Sequence, residues 1–262
     1  MLTTERDGAV GAAVRGLRGL VVEVESAASR YRESTDPGRR VAEVAVILVT
    51  VAVSLTAINF LRDGSSPVAL SDALGAPNAS FDGLARWASV SIIGYVVPAL
   101  VASRVLGIRW RDLGLVARRV GVGPYVVLFV VSVPFIAVAS SNPEFLARYP
   151  FYRLAEGEGW VPYLAAWWVL YAAQFVALEF FFRGFMVHAL KDHLGVAAVF
   201  VMVVPYAMIH FNKPMVEALA AIVGGTVLGF FSLQGRSIWP AAALHIAIAA
   251  SMDLFALFRL AG

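Results

Sequence analysis

Leu178-Glu179-Phe180-Phe181-Phe182-Arg183-Gly184 places a glutamate and an arginine four residues apart inside a long apolar stretch. An ionisable group in such a stretch is expensive to bury and is a functional candidate by default. The others in this chain are His210, Glu217, His245 and Asp253, and two of the four histidines are among them. Glu179 and Arg183 stand at i and i+4 with the acid first, so they share a helical face in the order the helix dipole favours. Such a pair either neutralises itself at a reactive site or only locks two helices together. A carboxylate facing an imidazole can activate water, with Glu179 as general base and His210 as its partner and proton shuttle. Two histidines and a glutamate could equally hold Zn²⁺ with three ligands and an open position, although the His-Glu-x-x-His spacing of soluble zinc proteases is absent. The bland alternative gives each histidine a hydrogen bond to a nearby carbonyl and no chemistry.

The elements that must position these groups are apolar helices. The chain is 60% hydrophobic and 15% charged, against about half apolar and about a quarter charged in soluble domains. The excess lies in long blocks, which predicts an all-α polytopic membrane bundle of about seven transmembrane helices. The spans are placed at 41–61, 87–104, 121–140, 161–190, 195–211, 215–233 and 237–258. Three regions follow: a polar segment 1–40, transmembrane helices and loops over 41–160, and a four-helix core over 161–258. The fourth and fifth spans turn near Leu194, with Glu179 fifteen residues before it and His210 sixteen after. At 1.5 Å per residue both lie roughly 23 Å from the turn, at similar depth. His245 lies ten residues after Gly235, so helix tilt must bring it level.

Charge sets the orientation. Fifteen basic residues fall in the N-terminal segment, 104–119, the 183–194 turn and Arg236, and six fall on the other side. The positive-inside rule then puts the N-terminus in the cytoplasm. The segment Ala9–Tyr31 carries a loose apolar stripe and is either a helix on the membrane surface or an ordinary amphipathic cytosolic helix. No cysteine is present, which excludes disulfides and thiolate chemistry. Nineteen arginines against two lysines point to a bacterial source, hence the bacterial inner membrane. The net charge of +3 is small and scattered and makes no case for nucleic acid. The first forty residues are polar and show no signal peptide.

Weaker features have structural readings. Gly225-Thr-Val-Leu-Gly229 predicts close helix packing. The three phenylalanines encircle the helix and suit packing or lipid contact. Asp253, two turns after His245, either supports the site or caps the span. Glu217 suits the start of the sixth span. Trp160, Trp167 and Trp168 are placed as interfacial anchors, 62–86 as an irregular loop and 141–160 as an interfacial loop or short helix. His188 and His193 receive no role.

Three stations in order resemble the CPBP family of intramembrane proteases, the group of CAAX prenyl endopeptidases and Abi-like bacteriocin-processing or self-immunity proteins. The family pattern is Glu-Glu-x-x-x-Arg, then Phe-x-x-x-His, then His-x-x-x-Asn or Asp. Here it reads Leu178-Glu179-Phe180-Phe181-Phe182-Arg183, Tyr206-Ala207-Met208-Ile209-His210 and His245-Ile246-Ala247-Ile248-Ala249. The resemblance implies peptide hydrolysis within the bilayer, on a membrane-associated peptide or protein. It assigns water activation to Glu179 and His210, the oxyanion to His245, and the orientation of Glu179 to Arg183. No cofactor is required, and zinc is compatible. Beside the mild change of Phe to Tyr206, two positions depart from the pattern. Leu178 stands where the water-activating glutamate is expected, and Ala249 replaces the Asn, a loss of one oxyanion donor that can cost about 10²–10³ in rate. An active endopeptidase is the leading expectation, with an impaired relative that binds membrane segments or confers immunity as the rival. A small transporter is the least supported reading, because no internal repeat stands out.

Overall fold

Short polar residues start several helices and apolar runs continue them. The structure, a computed structural model, describes residues 3–63, 70–75, 78–116, 120–154 and 162–261. Helix α1 (Thr3–Ser34) leads into α2 (Pro37–Leu61), where Asp36 accepts from the Arg39 amide and Pro37 supplies the first turn. Asn78 caps α3 (Ala79–Val105) through the Phe81 amide. Then come α4 (Gly123–Ala139) and the short α5 (Pro143–Arg148). One continuous helical run follows: α6 (Tyr163–Glu179), a π-helical stretch Phe180–Val187, and α7 (His188–Leu194). Helices α8 (Ala197–Met208), α9 (Met215–Gly235) and α10 (Trp239–Ala261) complete the polytopic bundle. No strand occurs among the described residues.

Five of these elements are long and apolar enough to cross a membrane: α2, α3, the α6–α7 run, α9 and α10. Their outward residues are large and apolar, such as Phe60, Val105, Val223 and Phe258. This is an integral membrane protein. The expected span 195–211 is corrected: α8 has only 12 residues, about 18 Å against a hydrocarbon core of about 30 Å. The chain tightens into three-residue turns at His210 and Phe211 and then meets Pro214. Helix α4 is also short, at 17 residues. Helix α3 starts eight residues before the expected 87 because Asn78 caps it there, while Asp82 in its first turn takes the Ser71 amide and hydroxyl. The 141–160 segment contains α5; Trp160, Pro67, Pro77, Arg118 and Arg119 lie outside the described residues.

In lipid, helices associate by close packing rather than by escape from water, and this shows between α8 and α9. A Cβ on Gly225 would stand 2.9 Å from the Tyr206 ring, and one on Gly229 would stand 2.6 Å from Val199. Phe180, Phe181 and Phe182 are all buried, Phe181 and Phe182 against Tyr95 and Phe182 also against Tyr206, so packing rather than lipid contact is their role. Trp167 is corrected too. It is fully buried, stacked on both Phe151 and Tyr171 in one aromatic cluster, and anchors no interface.

Helix α1 lies across the end of the bundle. Glu25 accepts from the Val196 amide, Arg32 donates to the His193 carbonyl, and Glu23 pairs with Arg236. The turn between α7 and α8 needs Gly195: its φ is +61°, and a Cβ there would meet the Glu25 carboxylate at 2.1 Å. The basic segments assigned to one side therefore meet at one end, where Arg39, Arg109, Arg111, Lys191 and Arg236 line one cavity.

Candidate active site

Glu179 is the last residue of α6 and Arg183 lies in the π-helical stretch, a rare geometry that recurs at functional sites. Both side chains are completely buried. The Arg183 Nη1 donates to Glu179 Oε1 at 3.0 Å, and the same oxygen receives His245 Nδ1 from α10 at 2.9 Å. A carboxylate can only accept, so Nδ1 of His245 carries a proton. Glu179 Oε2 is buried and has no hydrogen-bond partner among the described residues.

The Arg183 guanidinium stands over the Tyr206 ring, 4.0 Å from its centroid. The Tyr206 carbonyl in turn accepts from His210 Nδ1 at 2.8 Å. A carbonyl cannot donate, so this contact fixes the tautomer, and a neutral His210 ring presents Nε2 as its free base. The contacts run from His245 through Glu179, Arg183 and Tyr206 to His210. All three motif stations therefore belong to one contiguous network. Their internal order differs from the sequence expectation. His245, the station whose depth needed helix tilt, binds Glu179 directly. His210, placed to face Glu179, instead folds back on its own helix. The end of α8 at Met208 explains this, since a helix C-terminus leaves carbonyls without helical partners and the Tyr206 oxygen is one of them.

Sequence reasoning missed several supporting residues. Ser232 on α9 donates its hydroxyl to the Arg183 carbonyl at 3.3 Å, and His188 Nε2 lies 3.0 Å from the same hydroxyl. Phe175 packs on the His245 ring at 4.4 Å between centroids. It stands one turn before Glu179, a spacing that could have flagged it. Gly184 is forced by the Leu113 carbonyl, which a Cβ would approach to 2.7 Å. Nothing in the sequence singles out Ser232.

Asp253 and Glu217 lie outside the network. Asp253 accepts from the Phe151 amide at 3.0 Å, and Glu217 accepts from the Tyr149 hydroxyl and from Lys213. Both hold the segment that follows α5 against α9 and α10. Burial, then the Glu217 carboxylate, pushes the Tyr149 hydroxyl well above its usual range and keeps it a donor. Leu178 and Ala249, the two departures, are buried in apolar surroundings and add no polar group.

Among the described residues, no three of His, Asp or Glu gather as a metal site. Glu179 and His245 meet, but no third His, Asp or Glu gathers with them among the described residues, so the side chains do not form the three-ligand zinc set considered from sequence.

Residues 159–251 match the family model described as type II CAAX prenyl endopeptidase, Rce1-like, over a little more than a third of the chain. No curated protein and no solved structure matches the chain.

Proposed function

We propose that this chain, whose residues 159–251 support membership of the CPBP family of intramembrane proteases, hydrolyses a peptide bond of a membrane-associated protein or peptide with water activated by Glu179 and histidine. The observation that carries the reading is the shared oxygen of Glu179, held by Arg183 on one side and by His245 on the other. Two donors on Oε1 leave Oε2 as the acceptor for a water proton. The water attacks the scissile carbonyl as its proton passes to Glu179; the tetrahedral intermediate then collapses, the C–N bond breaks and Glu179 returns that proton to the leaving amine, with His210 Nε2 the next base in the network. The oxyanion role assigned to His245 needs its imidazolium form, in which Nε2 donates to the developing oxyanion while Nδ1 stays on Glu179. Arg183 fixes the carboxylate and remains charged throughout. With Leu178 beside it, Glu179 performs both the base and the pairing roles. The N-terminus is cytoplasmic, in agreement with the clustering of basic residues at one end of the bundle.

A second reading is an impaired relative that binds membrane segments or confers immunity without cutting them. One observation favours it: Glu179 is engaged by Arg183 and His245, while His210 binds the Tyr206 carbonyl instead. Protein termini in cells carrying wild type, Glu179→Ala or His210→Ala separate the two. The protease reading expects a membrane-protein fragment present in wild type and lost in both variants at equal expression. Identical termini in all three, with the chain folded and abundant, would establish the binding reading.

A further inference from the structure

A second polar feature lies where α1 crosses the end of the bundle. A cavity of about 520 Å³ opens between α1, α2, the turn after α3, and α7. Its charged lining is mostly paired: Arg39 with Glu43 at 2.8 Å, Arg109 with Asp112 at 2.8 Å, Lys191 with Asp192 at 3.1 Å, and Arg236 with Glu23 at 3.1 Å. Arg111 is the exception and has no carboxylate partner among the described residues. Arg104, on the other side of the same turn, has none either. A second, shallower cavity of about 320 Å³ holds Arg104, Arg109 and Arg111 together around Trp110. Two uncompensated arginines at one turn, each beside a cavity, suit a multiply charged anion rather than a carboxylate of the chain.

The position of the turn indicates the source of that anion. It follows the last turn of α3, one of the membrane-crossing helices. Trp110 is 59% exposed, as are apolar neighbours Val105 and Val101 at 72% and 58%. An exposed tryptophan next to arginines at the end of a span is an interfacial arrangement, with the ring at headgroup level and the apolar face against acyl chains. Ile47, Leu106 and Ile108 continue this apolar wall into the larger cavity. A soluble metabolite would gain nothing from that wall. We infer that the turn 104–112 and its flanking cavities bind the phosphate of an anionic membrane lipid, with Arg104 and Arg111 as its ligands. The site neither uses nor requires the hydrolytic residues.

The test uses the purified full chain in neutral detergent and an acyl-chain-labelled phosphatidylglycerol, with binding read by fluorescence. Unlabelled phosphatidylglycerol, phosphatidylcholine and inorganic pyrophosphate serve as competitors. Phosphatidylglycerol should compete and phosphatidylcholine should not. Arg111→Gln and Arg104→Gln should each weaken binding about fivefold, the scale of one basic residue at an anionic surface. Asp192→Asn, at a half-exposed carboxylate in the cavity, should tighten binding in a chain whose folding is undisturbed. Arg259→Gln, at the far end of α10, should behave as wild type. Equal competition by phosphatidylcholine would overturn the inference, as would wild-type affinity in Arg104→Gln, Arg111→Gln and Asp192→Asn. Equal weakening by Arg259→Gln would reduce the effect to net charge and overturn it as well. Binding of pyrophosphate without binding of phosphatidylglycerol would keep the phosphate site and reassign it to a soluble ligand.

Discussion

The junction of α6 with α10 and the turn after α8 each bring one histidine to the same network, yet they solve different problems. At the first, His245 meets a fully buried carboxylate that already faces a guanidinium. At the second, His210 meets a backbone carbonyl released by the end of a helix. Burial without water makes an unpaired charge far more expensive than an unpaired carbonyl. The charged junction is therefore the rigid half of the site, and its parts come from two long helices. The His210 imidazole is held by one neutral hydrogen bond and by packing on the Tyr206 ring, so less free energy opposes its turning toward a substrate or a water. A fixed acid and an adjustable base suit a reaction that must admit a peptide between them.

Breaking the junction should have the largest consequence. Arg183→Met leaves Glu179 buried without its main counter-charge and should cost about 3–5 kcal/mol, seen as a large drop in melting temperature of the purified chain in detergent. His245→Leu removes one charge-assisted hydrogen bond from the same carboxylate and should cost about 1.5–3 kcal/mol in that assay. Gly184→Ala drives a methyl into the Leu113 carbonyl and displaces the π-helical stretch without touching α8; overpacking of this kind costs about 1–3 kcal/mol. His210→Leu loses one neutral hydrogen bond and a ring contact, both to Tyr206, and should cost about 0.5–1.5 kcal/mol. If His210→Leu proved as destabilising as His245→Leu, the proposed difference between a rigid and an adjustable half would fail.

The parts of this arrangement that follow from short-range rules were legible in the sequence. Seven apolar segments became seven helical elements, and the Glu179–Arg183 pair formed because i and i+4 share a helical face. The Gly225–Gly229 pair packs closely on α8, as its spacing implies. What escaped depends on where helices stop and how they tilt. The depth estimate for His210 assumed a continuous span, whereas α8 ends at Met208 and turns the ring back on itself. His245 needed tilt that no local pattern reveals. The π-helical geometry around Arg183, the Ser232 bond to its carbonyl and the inward stacking of Trp167 all arise from tertiary packing. Asp253 shares a face with His245, which left site support and capping of the span equally open; its carboxylate is held by the Phe151 amide.

Water activation by Glu179 is open to test by isotope transfer. The purified chain, reconstituted with membrane proteins of its own host in ¹⁸O-labelled water, should generate new C-termini that carry the heavy oxygen. Glu179→Gln, matched in folding, should generate them at least about 10²-fold more slowly, the lower end of a general-base contribution. Labelled termini formed at the same rate by Glu179→Gln, or formed by neither protein, would contradict the assignment of Glu179 as the base of a peptide hydrolase.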